Sequence, residues 1–310
     1  MTMTMPSKGE TPEVRTPASS ITRPFYWSLR RELWENRSIQ IAPLVAAGVV
    51  LFGFLLANRD LATKMDQWRL LDSVSRTAKL ELPYHFAAFA ILATGVIVAV
   101  AYCLGAVHGE RRDRSILFWK SLPVSDLTAV LAKAAVPTLI VPTVTFVVIL
   151  ATHLIMLVLN VVVLMANGKS AAPLWSDLPL AQMDITLLYG LAVLSLWYAP
   201  IYGWLLLVSA WARRVPFLWA VLPPLALCLI EKIAFDSGNL GSVLADRLGG
   251  GFSEAFTNGA FRPGHRSMGD QVSQIDAIGF LTTPDLWIGL VVAAGFLAAA
   301  VWLRRRREAL

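Results

Sequence analysis

The chain has 310 residues, 15% charged and 56% hydrophobic, with 27 basic and 21 acidic side chains and a net charge of +6. Soluble domains carry about 25% charged residues, so this composition excludes a soluble enzyme, a disordered chain and a nucleic-acid-binding module. The basic residues lie beside long apolar blocks, where membrane orientation accounts for them, and the reading is an all-α integral membrane protein.

Residues 1–22 are rich in Ser, Thr and Pro and lack an apolar core segment. They predict a disordered cytoplasmic tail rather than a signal peptide. Over residues 23–39, Phe25, Leu29 and Leu33 recur at helical spacing and Tyr26, Trp27 and Trp34 widen that face. Arg31, Glu32 and Glu35 face the other way, which predicts an amphipathic helix in the headgroup layer. It reads equally as a simple anchor or as a lever joining a cytoplasmic partner to the first span.

A spanning helix takes about 20 mostly apolar residues. Six blocks qualify, at Ile41–Ala57, Phe86–Val107, Val136–Met165, Ile185–Ala210, Val215–Ile233 and Leu286–Leu303, within a membrane domain over 40–305. Pro137 and Pro142 are expected to kink the third block and Pro223-Pro224 to bend the fifth. No charged side chain lies in the middle of a block. With both termini cytoplasmic, including 306–310, the inner segments collect Arg30, Arg31, Arg37, Arg111, Arg112, Arg114, Arg213, Arg214 and Arg304 to Arg307. That is the bias of a protein of the inner (plasma) membrane with its basic loops inside. The 58–85 loop dissents with Arg59, Lys64, Arg69, Arg76 and Lys79, offset by Asp60, Asp66, Asp72 and Glu81. The outer loop over 234–285 is Gly-rich and places Leu240, Val243, Leu244 and Leu248 on one helical face. It predicts short re-entrant or interfacial helices before the last span.

Catalytic patterns fail. Asn167-Gly168-Lys169-Ser170 ends like a P-loop, but Val163 stands where that loop needs its first Gly. No G-x-S-x-G elbow or H-E-x-x-H motif occurs, and His108-Gly109-Glu110 lacks the P-C-x-x-C half of a deaminase signature. Cys103 and Cys228 lie in apolar blocks and read as small apolar side chains. The chain is expected to hold no catalytic site, metal or cofactor of its own.

The most informative segment is the loop over 108–126. Its charged start, with Glu110, Arg111, Arg112 and Arg114, runs into the apolar patch Ile116 to Trp119 and stops at Pro123. Phe118 and Trp119 are anchors that a partner's cleft can desolvate, and the arginines can pair with its acids. The competing reading is a positive-inside loop with interfacial aromatics. Glu110, then Ser115, then Lys120-Ser121-Leu122-Pro123-Val124-Ser125 and Lys133 resemble the pattern of type-2 ABC-transporter permeases, the ABC-2 family. Arg114-Ser115 replaces the Gly-Thr pair of many members.

This resemblance covers residues 23–305. It implies a coupling helix that docks on a separate cytoplasmic ABC ATPase subunit, which binds the ATP and Mg. It also implies a second permease subunit, identical or not, and export of an amphipathic or lipid-like cargo. The alternative is a membrane anchor or scaffold that recruits a cytoplasmic partner without transport. A membrane-embedded enzyme ranks third.

Polar groups within spans are costly and mark candidate pathway positions: Tyr102, His153, Asn160, Tyr198, Tyr202 and Glu231. The competing readings are interhelical packing for the tyrosines, interhelical hydrogen bonds for His153 and Asn160, and headgroup contact for Glu231. Without a mid-span charge the pathway reads as apolar and aromatic, in contact with membrane lipids, and unlike the ion sites of secondary transporters.

Overall fold

The computed structural model describes residues 22–68, 70–112, 124–249 and 275–306. Every regular element among the described residues is a helix. The first stretch holds α1 (Thr22–Glu35), α2 (Ser38–Ala57), α3 (Leu61–Trp68), α4 (Ser73–Gly105) and α5 (His108–Arg112). Next come α6 (Asp126–Ala135), a π-helical turn (Val136–Ile140), α7 (Val141–Ala166), α8 (Ala172–Asp177), α9 (Leu180–Trp197) and α10 (Ala199–Trp211). The chain continues with α11 (Pro216–Phe235), α12 (Asn239–Gly249), α13 (Ala277–Thr282) and α14 (Pro284–Arg306).

Six helical stretches are long and apolar enough to cross a membrane. Five coincide with apolar blocks, because in hydrocarbon only a helix satisfies every backbone group within one segment. The fourth, Ala172–Trp197, takes in only the first half of its block, and the shorter apolar helix Ala199–Trp211 holds the rest. The helices outrun the blocks, however. α4 has 33 residues and starts on Asp72, whose carboxylate accepts from Ser75 N at 3.1 Å. The third span runs 41 residues from Asp126 to Ala166, capped by Ser125 Oγ accepting from Thr128 N at 3.1 Å. Such caps carry helix into polar flanking sequence. Glu81 rides on α4 and Asp184 on α9, so both charges lie outside the apolar blocks but inside the helices that contain those blocks.

Proline shapes three spans differently. In the third, Pro137 lies within the π turn and Pro142 just after it, where the ladder resets around missing donors. The fourth block is not one helix: Tyr198, at φ −86° and ψ 1°, separates α9 from α10, with Pro200 two residues on. The fifth, α11, runs through Pro223 and Pro224 without a break.

Two apolar clusters lie at opposite ends of the bundle. One gathers Ile39, Val98, Tyr102, Val136, Leu206 and Val208, and α1 reaches it through Leu29 and Leu33. The other joins Phe54, Met65, Tyr84, Met156, Leu164 and Met183. Small residues set the closest approaches: a Cβ on Gly203 of α10 would sit 3.2 Å from the Ala293 carbonyl of α14. Helix α11 stands apart, with Ala220 its one buried residue. The predicted polar face of α1 needs correction. Glu32, at 2% exposure, points inward while Tyr26, Trp27 and Trp34 are exposed, because the cations that neutralise Glu32 lie inside the bundle.

Candidate functional site

The end of the bundle that holds α1, α5, α6 and the last turn of α14 is organised around two buried carboxylates. Lys133 of α6 donates to Glu32 Oε1 at 2.8 Å and lies 3.1 Å from Glu110 Oε1. Arg31 Nη2 reaches the same two oxygens, at 2.7 Å and 2.6 Å. Arg304 of α14 holds the far side, donating to Glu110 Oε2 at 2.8 Å and to Asp126 Oδ1 at 3.0 Å. The Tyr102 hydroxyl of α4 donates to Glu32 Oε2 at 2.8 Å. Three cations thus face three carboxylates, and four of the six, Glu32, Glu110, Lys133 and Arg304, are buried.

Burying ions this deeply is tolerable only because each is paired and hydrogen-bonded. Burial acts to lower the Arg31 pKa, but Glu32, Glu110 and Glu35 outweigh it and the value is raised. On the rim, burial raises the pKa of Glu35 against the lowering effect of Arg31. The helices are positioned around this site by backbone as well. Ser209 Oγ of α10 accepts from Val107 N at 3.1 Å and His108 N at 3.0 Å and donates to Leu104 O at 2.9 Å. Arg111 Nη1 donates to Ala210 O at 2.7 Å, so α5 is fastened to the end of α10.

Of the predicted loop residues, Glu110 lies at the centre of this network, Arg111 is buried beside it and Arg112 is exposed. Arg114, Ser115, Phe118, Trp119, Lys120 and Pro123 lie outside the described residues. The six candidate pathway residues do not share one place. Tyr102 belongs to the ion network. His153 and Asn160 join a second polar cluster near the other end, where His153 Nδ1 lies 2.7 Å from Asp184 Oδ1 and Nε2 lies 3.2 Å from Tyr84 O. That carbonyl can only accept, so Nε2 is the donor in that contact. Asn160 Nδ2 donates to the Tyr84 hydroxyl at 3.1 Å, and its carbonyl accepts from Asn58.

Tyr198 and Tyr202 line a narrow apolar recess between α4, the π turn and the α9–α10 break, together with Gly95, Pro142 and Thr145. Glu231 is turned into the chain that follows it, accepting from Leu240 N at 2.8 Å, Ser237 Oγ at 2.9 Å and Asn239 N at 3.1 Å. It caps the start of α12.

Sequence reasoning missed Glu32, Arg304 and Asp184 as site residues. A signal existed for each. Glu32 sits between Leu29 and Leu33 on the turn that packs inward, Asp184 is flanked by Met183 and Ile185, and Arg304 closes an apolar helix. A charged residue that borders apolar residues on an inward-facing turn implies a buried partner.

Six spans, all-helical architecture and paired ions at the span ends define a multi-pass membrane protein. No protein-family model matches the chain, and neither a curated protein nor a solved structure matches it.

Proposed function

We propose that this chain is the membrane subunit of an ATP-driven exporter of the ABC-2 type, with both termini cytoplasmic. The observation that carries the reading is the position of Glu110. It opens the loop that resembles the family's coupling segment, and its two carboxylate oxygens hold Arg31 of α1, Lys133 of α6 and Arg304 of α14. A displacement of the 108–126 loop therefore acts at once on the N-terminal helix, the third span and the last span. Ion pairs suit that role because they are stiff and directional when buried. A separate ATPase subunit supplies ATP hydrolysis, a second permease completes the pathway, and the cargo is amphipathic or lipid-like.

The test is co-purification with an ABC ATPase encoded beside this gene and co-expressed. Phe118→Ala with Trp119→Ala removes the proposed anchors, at a cost of about 2 kcal/mol or more in docking, while membrane insertion stays normal. Glu110→Gln should keep docking and weaken the coupling of ATP hydrolysis to cargo. Undiminished co-purification and ATPase activity in the double variant overturns the docking assignment. Docking without movement of any amphiphile leaves the anchor reading in its place.

A further inference from the structure

Helix α12 has no buried residue, and its apolar side chains Leu240, Val243 and Leu248 are exposed. Packing therefore contributes little to its position. It is fastened at two ends instead. The first is the Glu231 carboxylate, which accepts the Asn239 and Leu240 amides. The second is Arg247, whose guanidinium lies over the Trp197 ring at 4.4 Å and donates to Asp285 O at 2.8 Å and Trp197 O at 3.5 Å. In return Trp197 Nε1 donates to Arg247 O at 3.0 Å, and the Tyr198 hydroxyl donates to Leu248 O at 2.7 Å.

The guanidinium also lies in a socket. A Cβ on Gly289 of α14 would overlap Arg247 Nη2, so glycine is what lets the side chain reach between α14 and the break in the fourth span. The tie falls on Trp197 and Tyr198, the two residues where α9 gives way to α10, and Tyr198 also walls the apolar recess. A helix held by a few polar contacts over exposed surface opens locally far more readily than a packed one.

We propose that α12 is a releasable strap across the break in the fourth span, and that Arg247, seated against Gly289, is the pin that holds it shut. Release frees the Tyr198 hydroxyl from Leu248 and lets α9 and α10 change their angle at the recess wall. This inference rests on geometry and not on the exporter reading, and its test reads no transport, so either can fail without the other.

The test uses the full-length protein in lipid nanodiscs, with spin labels at the exposed positions Val243 on α12 and Val291 on α14, and pulsed electron spin resonance to measure their separation. The unaltered pin should give one dominant distance. Arg247→Gln removes the charge and Gly289→Ala fills the socket, and each should at least double the longer-distance fraction. Gly295→Ala is the same substitution on the same helix with nothing within 4 Å of the added carbon, and should leave the distribution unchanged. In an Arg247→Ala background the socket is empty, so Gly289→Ala should add nothing further. A wild-type distribution in both Arg247→Gln and Gly289→Ala overturns the proposal. So does an equal response to Gly295→Ala, which would mean general damage to α14.

Discussion

Lys133 and Glu32, 101 residues apart in the chain, form a 2.8 Å ion pair with both side chains 2% exposed. Neither belongs to an apolar block, yet together with Glu110 they tie the N-terminal helix to the root of the third span.

Breaking the pair on one side should cost far more than removing it whole. Lys133→Met leaves Arg31 as the one cation bridging Glu32 and Glu110, so the loss should fall at or below the about 3–5 kcal/mol of a buried charge left with no partner. The double variant Lys133→Met with Glu32→Gln should be markedly more stable than the sum of the single losses. Thermal unfolding in detergent, read as a double-mutant cycle, checks this. Strict additivity would mean that the two side chains do not interact.

Ser209 is fully buried and serves two amides and a carbonyl at the end of α4. Ser209→Ala orphans the Val107 and His108 amides, at about 1–3 kcal/mol for each group left unsatisfied. Hydrogen exchange at those two amides should accelerate. Ser195→Ala is the comparison, because Ser195 Oγ only donates back to Leu191 O in its own helix, at 2.7 Å, and its loss should cost little.

Gly95 of α4 meets Thr145 of α7 so closely that a Cβ would lie 2.6 Å from Thr145 Oγ1. Gly95→Ala should destabilise by about 1–3 kcal/mol through overpacking. The Thr145 hydroxyl is buried with no hydrogen-bond partner among the described residues, so Thr145→Ala is inexpensive by itself. Combined with Gly95→Ala it should restore most of the lost stability, measured by thermal unfolding. A double variant no better than Gly95→Ala would locate the strain elsewhere.

The proposed orientation predicts which end is reached from outside the cell. With Cys103 and Cys228 replaced by serine, Ser170→Cys should react with an impermeant thiol reagent in intact cells and Arg305→Cys should react only after permeabilisation. The reverse pattern would invert the protein and put the 108–126 loop on the wrong side for a cytoplasmic ATPase.

The sequence alone determined the number of spans and the approximate limits of all but the fourth, because a run of about 20 apolar residues has one satisfactory conformation in a bilayer. It likewise placed a helix over residues 23–39, since the recurrence of Leu29 and Leu33 is a local property, although that helix ends at Glu35 and the next begins at Ser38. It could not determine which face of that helix turns inward. Glu32 is polar, and only its meeting with Lys133, Arg31 and Tyr102 makes burial affordable.

The same holds for Asp184, which flanks an apolar block in the sequence and lies in the bundle only because α9 begins at Leu180 and brings it to His153. Glu231, Tyr102 and His153 are alike in sequence as polar residues at or within spans. Tertiary contacts sent them to a helix cap, an ion network and a separate cluster. Proline also marked bends without deciding their form: a π turn at Pro137, a broken helix near Pro200 and an unbroken one at Pro223. Periodicity reports what a residue does to its own helix. Which buried charge finds a partner depends on residues a hundred positions away, and that information exists only once the helices have packed.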